Sequence, residues 1–311
     1  MTESCKTIMY HYVRPIKKSK FKNLKGLELS GFNNQINYFQ NKFNFINIEK
    51  IIDKIYNKKT IPKKSILLTF DDGLKDHYKF VFPILKKFKI SGLFFPPVEP
   101  IEKKIILDVH KIHFILARAS NKKKIVDFIL GSIKENKNNF ELEDPDKFFK
   151  NIAKSNRFDD KETIFIKRAL QRDLPEKLRY NLTNELFQKY VTNDENGFSR
   201  NLYLSEDEIK EMLENNMDFG SHGYSHYWLS HLDQKELESE LKKSKKFLDR
   251  INVKKENRTF CYPYGDYNKT IVSKIEEMGY KLAFTTNVSD TFLLKSKKFQ
   301  LSRFDTNDFP Q

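Results

Sequence analysis

Hydrophobic positions along this chain alternate between two periods. Short continuous apolar runs predict buried strands, and apolar residues recurring every three to four positions predict helices. Thr7–Val13 (TIMYHYV) predicts a first strand. Phe32–Phe43 predicts a helix with Ser30 as its N-cap. Ser65–Phe70 (SILLTF) is apolar on both faces, as a parallel sheet covered on both sides requires. Tyr78, Val81, Leu85 and Phe88 then recur at helical spacing, with Pro83 an irregularity, and Gly92 precedes a strand at Leu93–Phe95.

From about 101 to 200 this rhythm stops. Ile105–Ala119, Lys122–Ile133 and Lys161–Ala169 predict helices, with a polar stretch at Lys134–Asp146. The rhythm resumes with Ser205 and Glu208, a capping box for a helix running to Glu214, and a strand at Met217–Gly220. Asp233 and Glu236 cap the next helix, which carries Leu237, Leu241 and Leu248 on one face. Thr259–Tyr262 predicts a strand, a further helix stops at Gly279, and strands at Lys281–Thr285 and Phe299–Phe304 close the pattern. Alternating βα units predict an α/β fold around a parallel sheet. The expected organisation is one domain over 1–311, interrupted by a helical insertion at about 101–200.

Charge and cysteine content narrow the picture. The 311 residues include 57 basic and 42 acidic side chains, for a formal net charge of +15 at pH 7. Such a surface attracts polyanions, but the lysines are scattered and no nucleic-acid recognition motif occurs. A Lys-rich solvated surface is the first expectation, an anionic substrate the second, and no specific nucleic-acid partner is expected. Two cysteines, Cys5 and Cys261, make neither a disulfide framework nor a Cys-based zinc site. The polar N-terminus has no apolar run of signal-peptide length, and no stretch approaches the roughly 20 apolar residues of a membrane span. A cytoplasmic location is therefore expected; the oligomeric state stays open.

Three motifs fall at the ends of predicted strands, where parallel sheets gather functional groups. Thr69-Phe70-Asp71-Asp72-Gly73 places two adjacent carboxylates there. A cation held by one would relieve their repulsion and leave the other as a base; alone, the segment is an acidic turn capping the next helix. His222-Gly223-Tyr224-Ser225-His226 carries two histidines that share a face if the segment makes a helical turn, with Gly220 and Gly223 giving the backbone room. Two imidazoles and one carboxylate leave open positions on a metal, as catalysis needs. Cys261-Tyr262-Pro263-Tyr264-Gly265 is a rigid turn that can aim a backbone N–H at a fixed point.

Together and in this order, TFDDG, SHGYSH and YPYG resemble the polysaccharide deacetylases, the NodB-homology or carbohydrate esterase 4 family. The likeness is to the branch with a histidine after the first strand, here in Tyr10-His11-Tyr12-Val13. The resemblance implies a distorted (β/α) barrel, with Asp71 as general base and Asp72, His222 and His226 binding a divalent metal, usually zinc. It implies that the Tyr264 backbone N–H stabilises the oxyanion formed when water, deprotonated by Asp71, attacks an amide carbonyl. Two departures stand out. Many members have an arginine matching Cys261 that steadies the base, and Arg303 is the candidate replacement, with an ordinary surface salt bridge as its alternative. The late general-acid histidine is missing after Gly265, which leaves His11 as candidate, with His231 in reserve and a buried structural histidine as the alternative for His11.

His110 and His113, three apart in the insertion, are expected to be packed or solvated rather than to touch substrate, and His77 is given no role. Tyr227 and Trp228 could stack on a sugar ring or belong to the core. The expected reaction is removal of an N-acetyl group from an amino sugar on a nucleotide- or lipid-linked precursor of a surface polysaccharide. A deformylase or other amidase on the same scaffold, or a non-catalytic glycan-binding module, are the alternatives.

Overall fold

The structure is a computed structural model and describes residues 4–156 and 159–311. Two compact units are present: one comprises residues up to Pro15, Gly26–Ile105 and Ser199–Gln311, the other Ile16–Lys25 and Ile106–Phe198.

In the first unit the apolar runs become β1 (Ser4–Tyr10), β2 (Ser65–Asp71), β3 (Gly92–Phe95), β4 (Asp218–Phe219), β5 (Thr259–Cys261), β6 (Leu282–Phe284) and β7 (Phe304–Asp305). These pair in parallel in the order β7, β1, β2, β3, β4, and separately β5 with β6. Two parallel bridges, Ser221 to Phe260 and Phe284 to Leu301, join the sets. The ring therefore closes into a distorted (β/α) barrel.

Period-two alternation sorts its side chains. Tyr10, Phe70, Phe94 and Phe219 are successive cross-strand neighbours that stack at 4.7–5.4 Å and pack with the helices' apolar faces. The alternate positions, including Leu67, Leu93, Phe95, Cys261 and Phe284, form a second core. Asp71 belongs to that alternate set, so the fold delivers a carboxylate to the barrel mouth.

Both capping boxes form as predicted, at Ser205/Glu208 and Asp233/Glu236. Several elements differ. The first strand ends at Tyr10, so His11 leaves the sheet, and Val13 joins a separate two-residue pairing with Leu27. The helix predicted over Phe32–Phe43 spans Leu29–Lys42, with Ser30 inside it and Glu28 at the N-cap. Ile48–Asn57 is a helix the pattern above did not predict, with Ile48, Ile51, Ile52 and Ile55 buried and Asn47 capping it. Before Pro83 the backbone winds as a π-turn over His77–Val81, and the regular helix is Phe82–Phe88, where proline needs no N–H partner. The predicted last strand meets β6 in a bridge at Leu301 and bonds to the Asn287 carbonyl through the Arg303 N–H, but strand geometry is confined to β7.

The second unit is helical, with Asp108–Arg118, Lys122–Glu135, Pro145–Ile152, Lys161–Arg168 and Glu176–Tyr190. Pro145–Ile152 and Glu176–Tyr190 were not predicted. Phe21, Phe114 and Phe198 form edge-to-face contacts at its centre. Among the described residues, no helix is long and apolar enough to cross a membrane.

Candidate active site

The barrel's strand ends bring together residues far apart in sequence. Asp71 closes β2 and Cys261 closes β5. Arg303, 1% exposed, lies just before β7 and grips both Asp71 oxygens, Nη1 on Oδ1 and Nη2 on Oδ2, each at 2.8 Å. Its Nη1 also donates to Thr69 Oγ1 at 3.2 Å and its Nε to the Thr285 carbonyl at 3.0 Å. Burial alone would raise the Asp71 pKa, but Arg303, followed by His222 and His11, outweighs it and holds the carboxyl at about 2. Asp71 is an ionised carboxylate fixed in one orientation.

Asp72, the next residue, turns through φ 72, a left-handed conformation uncommon outside glycine. Its Oδ1 lies 3.4 Å from His226 Nε2 and 3.6 Å from His222 Nε2, and all three residues are buried. These separations suit ligands sharing one ion better than hydrogen bonds, since bonds of about 2.0–2.2 Å in a tetrahedron put ligand atoms roughly 3.4 Å apart. His222 Nδ1 is 2.8 Å from the Cys261 carbonyl. That contact fixes the tautomer with its proton on Nδ1 and turns the Nε2 lone pair towards Asp72. Burial, then His226, pushes the His222 pKa down to about 4, so the ring is neutral, as a ligand must be. The donor set fits zinc.

Asp71, His222 and Cys261 form an overlapping cluster. Its charge is already committed, because Arg303 occupies both Asp71 oxygens and burial raises the Cys261 thiol pKa well above its ordinary value.

The histidines do not converge through a helical turn. Residues 222–226 form an irregular loop with positive φ at Gly223 (76°) and His226 (56°). Gly220 is required for space, since a Cβ there would sit 2.4 Å from the Phe95 ring. Sequence reasoning missed Glu240, a buried carboxylate whose Oε1 accepts the N–H groups of Tyr224 and Ser225, both at 2.7 Å. An acidic side chain on the same helix face as Leu237 and Leu241 was the available signal.

His11 stands at the mouth, its side chain 41% exposed and its Nε2 3.9 Å from Asp71 Oδ2. Its carbonyl accepts from His77 Nε2 at 2.9 Å, and burial lowers the His77 pKa to about 4, so His77 is a neutral structural donor. Tyr264 adopts φ 58, ψ 5, and its ring packs edge-on to His226 at 4.7 Å and stacks on Trp228 at 4.3 Å with planes 4° apart. His231 is exposed, its ring 6.1 Å from that of Trp228. His110 and His113 belong to the second unit, with His110 buried.

The model of the polysaccharide deacetylase family matches residues 58–111 and 173–283, more than half of the chain and every motif from Asp71 to Tyr264. The chain belongs to the polysaccharide deacetylase family. YxkH of Bacillus subtilis (strain 168) is 31% identical over 84 residues, a stretch covering 27% of this chain and only 30% of that protein. The deacetylase PplD of Streptococcus pyogenes, solved with acetate, superposes with a TM-score of 0.61 at 18% identity, over 98% of this chain and 93% of that one. IcaB from Ammonifex degensii gives 0.56 at 18% identity, over 97% and 91%. At these identities the likeness to solved structures is one of fold. The small Cys261 thiol lies 3.1 Å from Arg303 Nη2, and the guanidinium reaches Asp71 from the segment between the Leu301 bridge to β6 and the start of β7.

Proposed function

We propose that the protein is a metal-dependent N-deacetylase of amino sugars, with zinc held by Asp72, His222 and His226. The observation carrying this reading is the buried donor set lying beside a second carboxylate, Asp71, that Arg303 keeps ionised. A divalent ion held by these residues would supply Lewis acidity to the acyl carbonyl and to water. Asp71 takes the proton from the attacking water. The Tyr264 backbone N–H, on its left-handed turn, donates to the developing oxyanion. His11 is partly exposed, so solvent can reprotonate it, and it gives a proton to the sugar nitrogen as the C–N bond breaks. Acetate and the free amine leave. The stacked Trp228–Tyr264 pair beside His226 offers a flat apolar face of the kind sugar rings pack on.

The net charge of +15 supports an anionic carrier, an amino sugar linked to a nucleotide or lipid phosphate. Zinc-loaded protein should release acetate from nucleotide-linked N-acetyl sugars faster than from uncharged oligosaccharides, and chelation should abolish release. Equal rates on both would remove the phosphate from the reading. Acetate release undiminished after complete metal removal would remove the metal mechanism. His11→Ala should lower kcat about 10²-fold, the lower end of general acid–base contributions, with zinc stoichiometry unchanged. Near-normal turnover would take His11 out of the mechanism.

A further inference from the structure

Three residues separate the two histidines of the metal set, and no regular secondary structure holds them. The segment makes no helix, and two of its residues have positive φ. Its central peptide is instead gripped from both sides. The Tyr224 carbonyl accepts the N–H groups of Val98 at 3.0 Å and Glu99 at 2.8 Å. On the other side, Glu240 Oε1 accepts the N–H groups of Tyr224 and Ser225, both at 2.7 Å. Glu240 comes from the helix Gln234–Arg250, on its buried face beside Leu237, Leu241 and Ser244, and is 6% exposed. Gly223 belongs to the same arrangement, because a Cβ there would stand 2.9 Å from Glu240 Oε1.

We infer that Glu240 is a positioning residue for the metal centre, fixing the His222–His226 loop so that both imidazoles face Asp72 before the ion arrives. The inference rests on the zinc reading above. A buried carboxylate is costly unless its hydrogen bonds are made, and here they are spent on two adjacent amides of one loop, more than packing of the helix requires. Preorganised ligands bind metal more tightly because the loop need not be ordered on binding, and outer-shell partners typically contribute 10–100-fold in metal affinity.

Glu240→Met keeps the length and the helix but removes the acceptor; Glu240→Gln restores a neutral acceptor. Zinc affinity, measured by competition with a chromophoric chelator, should fall about 10–100-fold in Glu240→Met and recover most of that in Glu240→Gln. Activity of Glu240→Met should return at saturating zinc with KM unchanged. Wild-type affinity in folded Glu240→Met would overturn the inference. Should that variant fail to fold, Glu240→Asp withdraws the carboxylate by one methylene and must also weaken zinc binding, or the inference falls. His222→Ala separates the two readings: if it too binds zinc like wild type, the metal site itself is wrong, not merely the role of Glu240.

Discussion

Asp71→Asn should lower kcat by about three orders of magnitude while zinc content and KM stay near wild type, at a cost in stability because the buried Arg303 loses its counter-ion. The amide keeps the shape of the carboxylate but cannot take a proton. Asp71 is not a member of the donor set formed by Asp72, His222 and His226, so the metal should remain. Its pKa of about 2 means that the wild-type group is ready as a base throughout the neutral range, and no acid limb above pH 4 should be assigned to it. Single-turnover acetate release together with metal analysis checks this. A variant that retains a tenth of the wild-type rate, or one that loses its zinc, would reassign Asp71.

Arg303→Met should be the most damaging change to stability, by about 3–5 kcal/mol, because it leaves Asp71 buried without its counter-ion. Asp71 is 2% exposed, and its two oxygens each receive one Arg303 N–H at 2.8 Å. With Arg303 in place the folded-state pKa, about 2, lies below the ordinary 3.8. The stabilisation is therefore complete above the unfolded pKa and is lost as pH falls from about 4 towards 2. Without Arg303 burial dominates and the carboxyl pKa rises, so the acid limb of kcat/KM should move upward. Chemical denaturation at pH 7 and a pH–rate profile report the two effects. Adding Cys261→Arg should recover part of the rate, since Cys261 Sγ already lies 3.5 Å from Asp71 Oδ2. An Arg303→Met variant of unchanged stability and pH profile would show that the guanidinium only fills space.

The sequence by itself determined much of the local structure. Short apolar runs such as SILLTF suit strands covered on both faces, and they became β2 and its neighbours. The Ser205/Glu208 and Asp233/Glu236 pairs satisfy helix-end donors within four residues, so their effect is local and their reading was direct. The same holds for the placing of Asp71 at the end of a strand and of Asp72, His222, His226 and Tyr264 in the loops after strand ends. Less local features were not legible. The helix over Glu176–Tyr190 has a diffuse apolar pattern, and its buried leucines acquire meaning only from the unit they pack in. The path of residues 222–226 was not legible either: the sequence allowed a helical turn, whereas the segment is a loop with left-handed residues whose amides bond to Glu240 on the helix Gln234–Arg250.

Tertiary structure alone decided the partnerships. Arg303 and Asp71 stand 232 residues apart, and only closure of the barrel through Leu301 and β7 makes them neighbours. Sequence could say that a base at Asp71 without an arginine at 261 lacked its cation, and could name Arg303 as a candidate. It could not choose, because the strength of an ion pair depends on distance and on exclusion from water, and both are set by which strands meet.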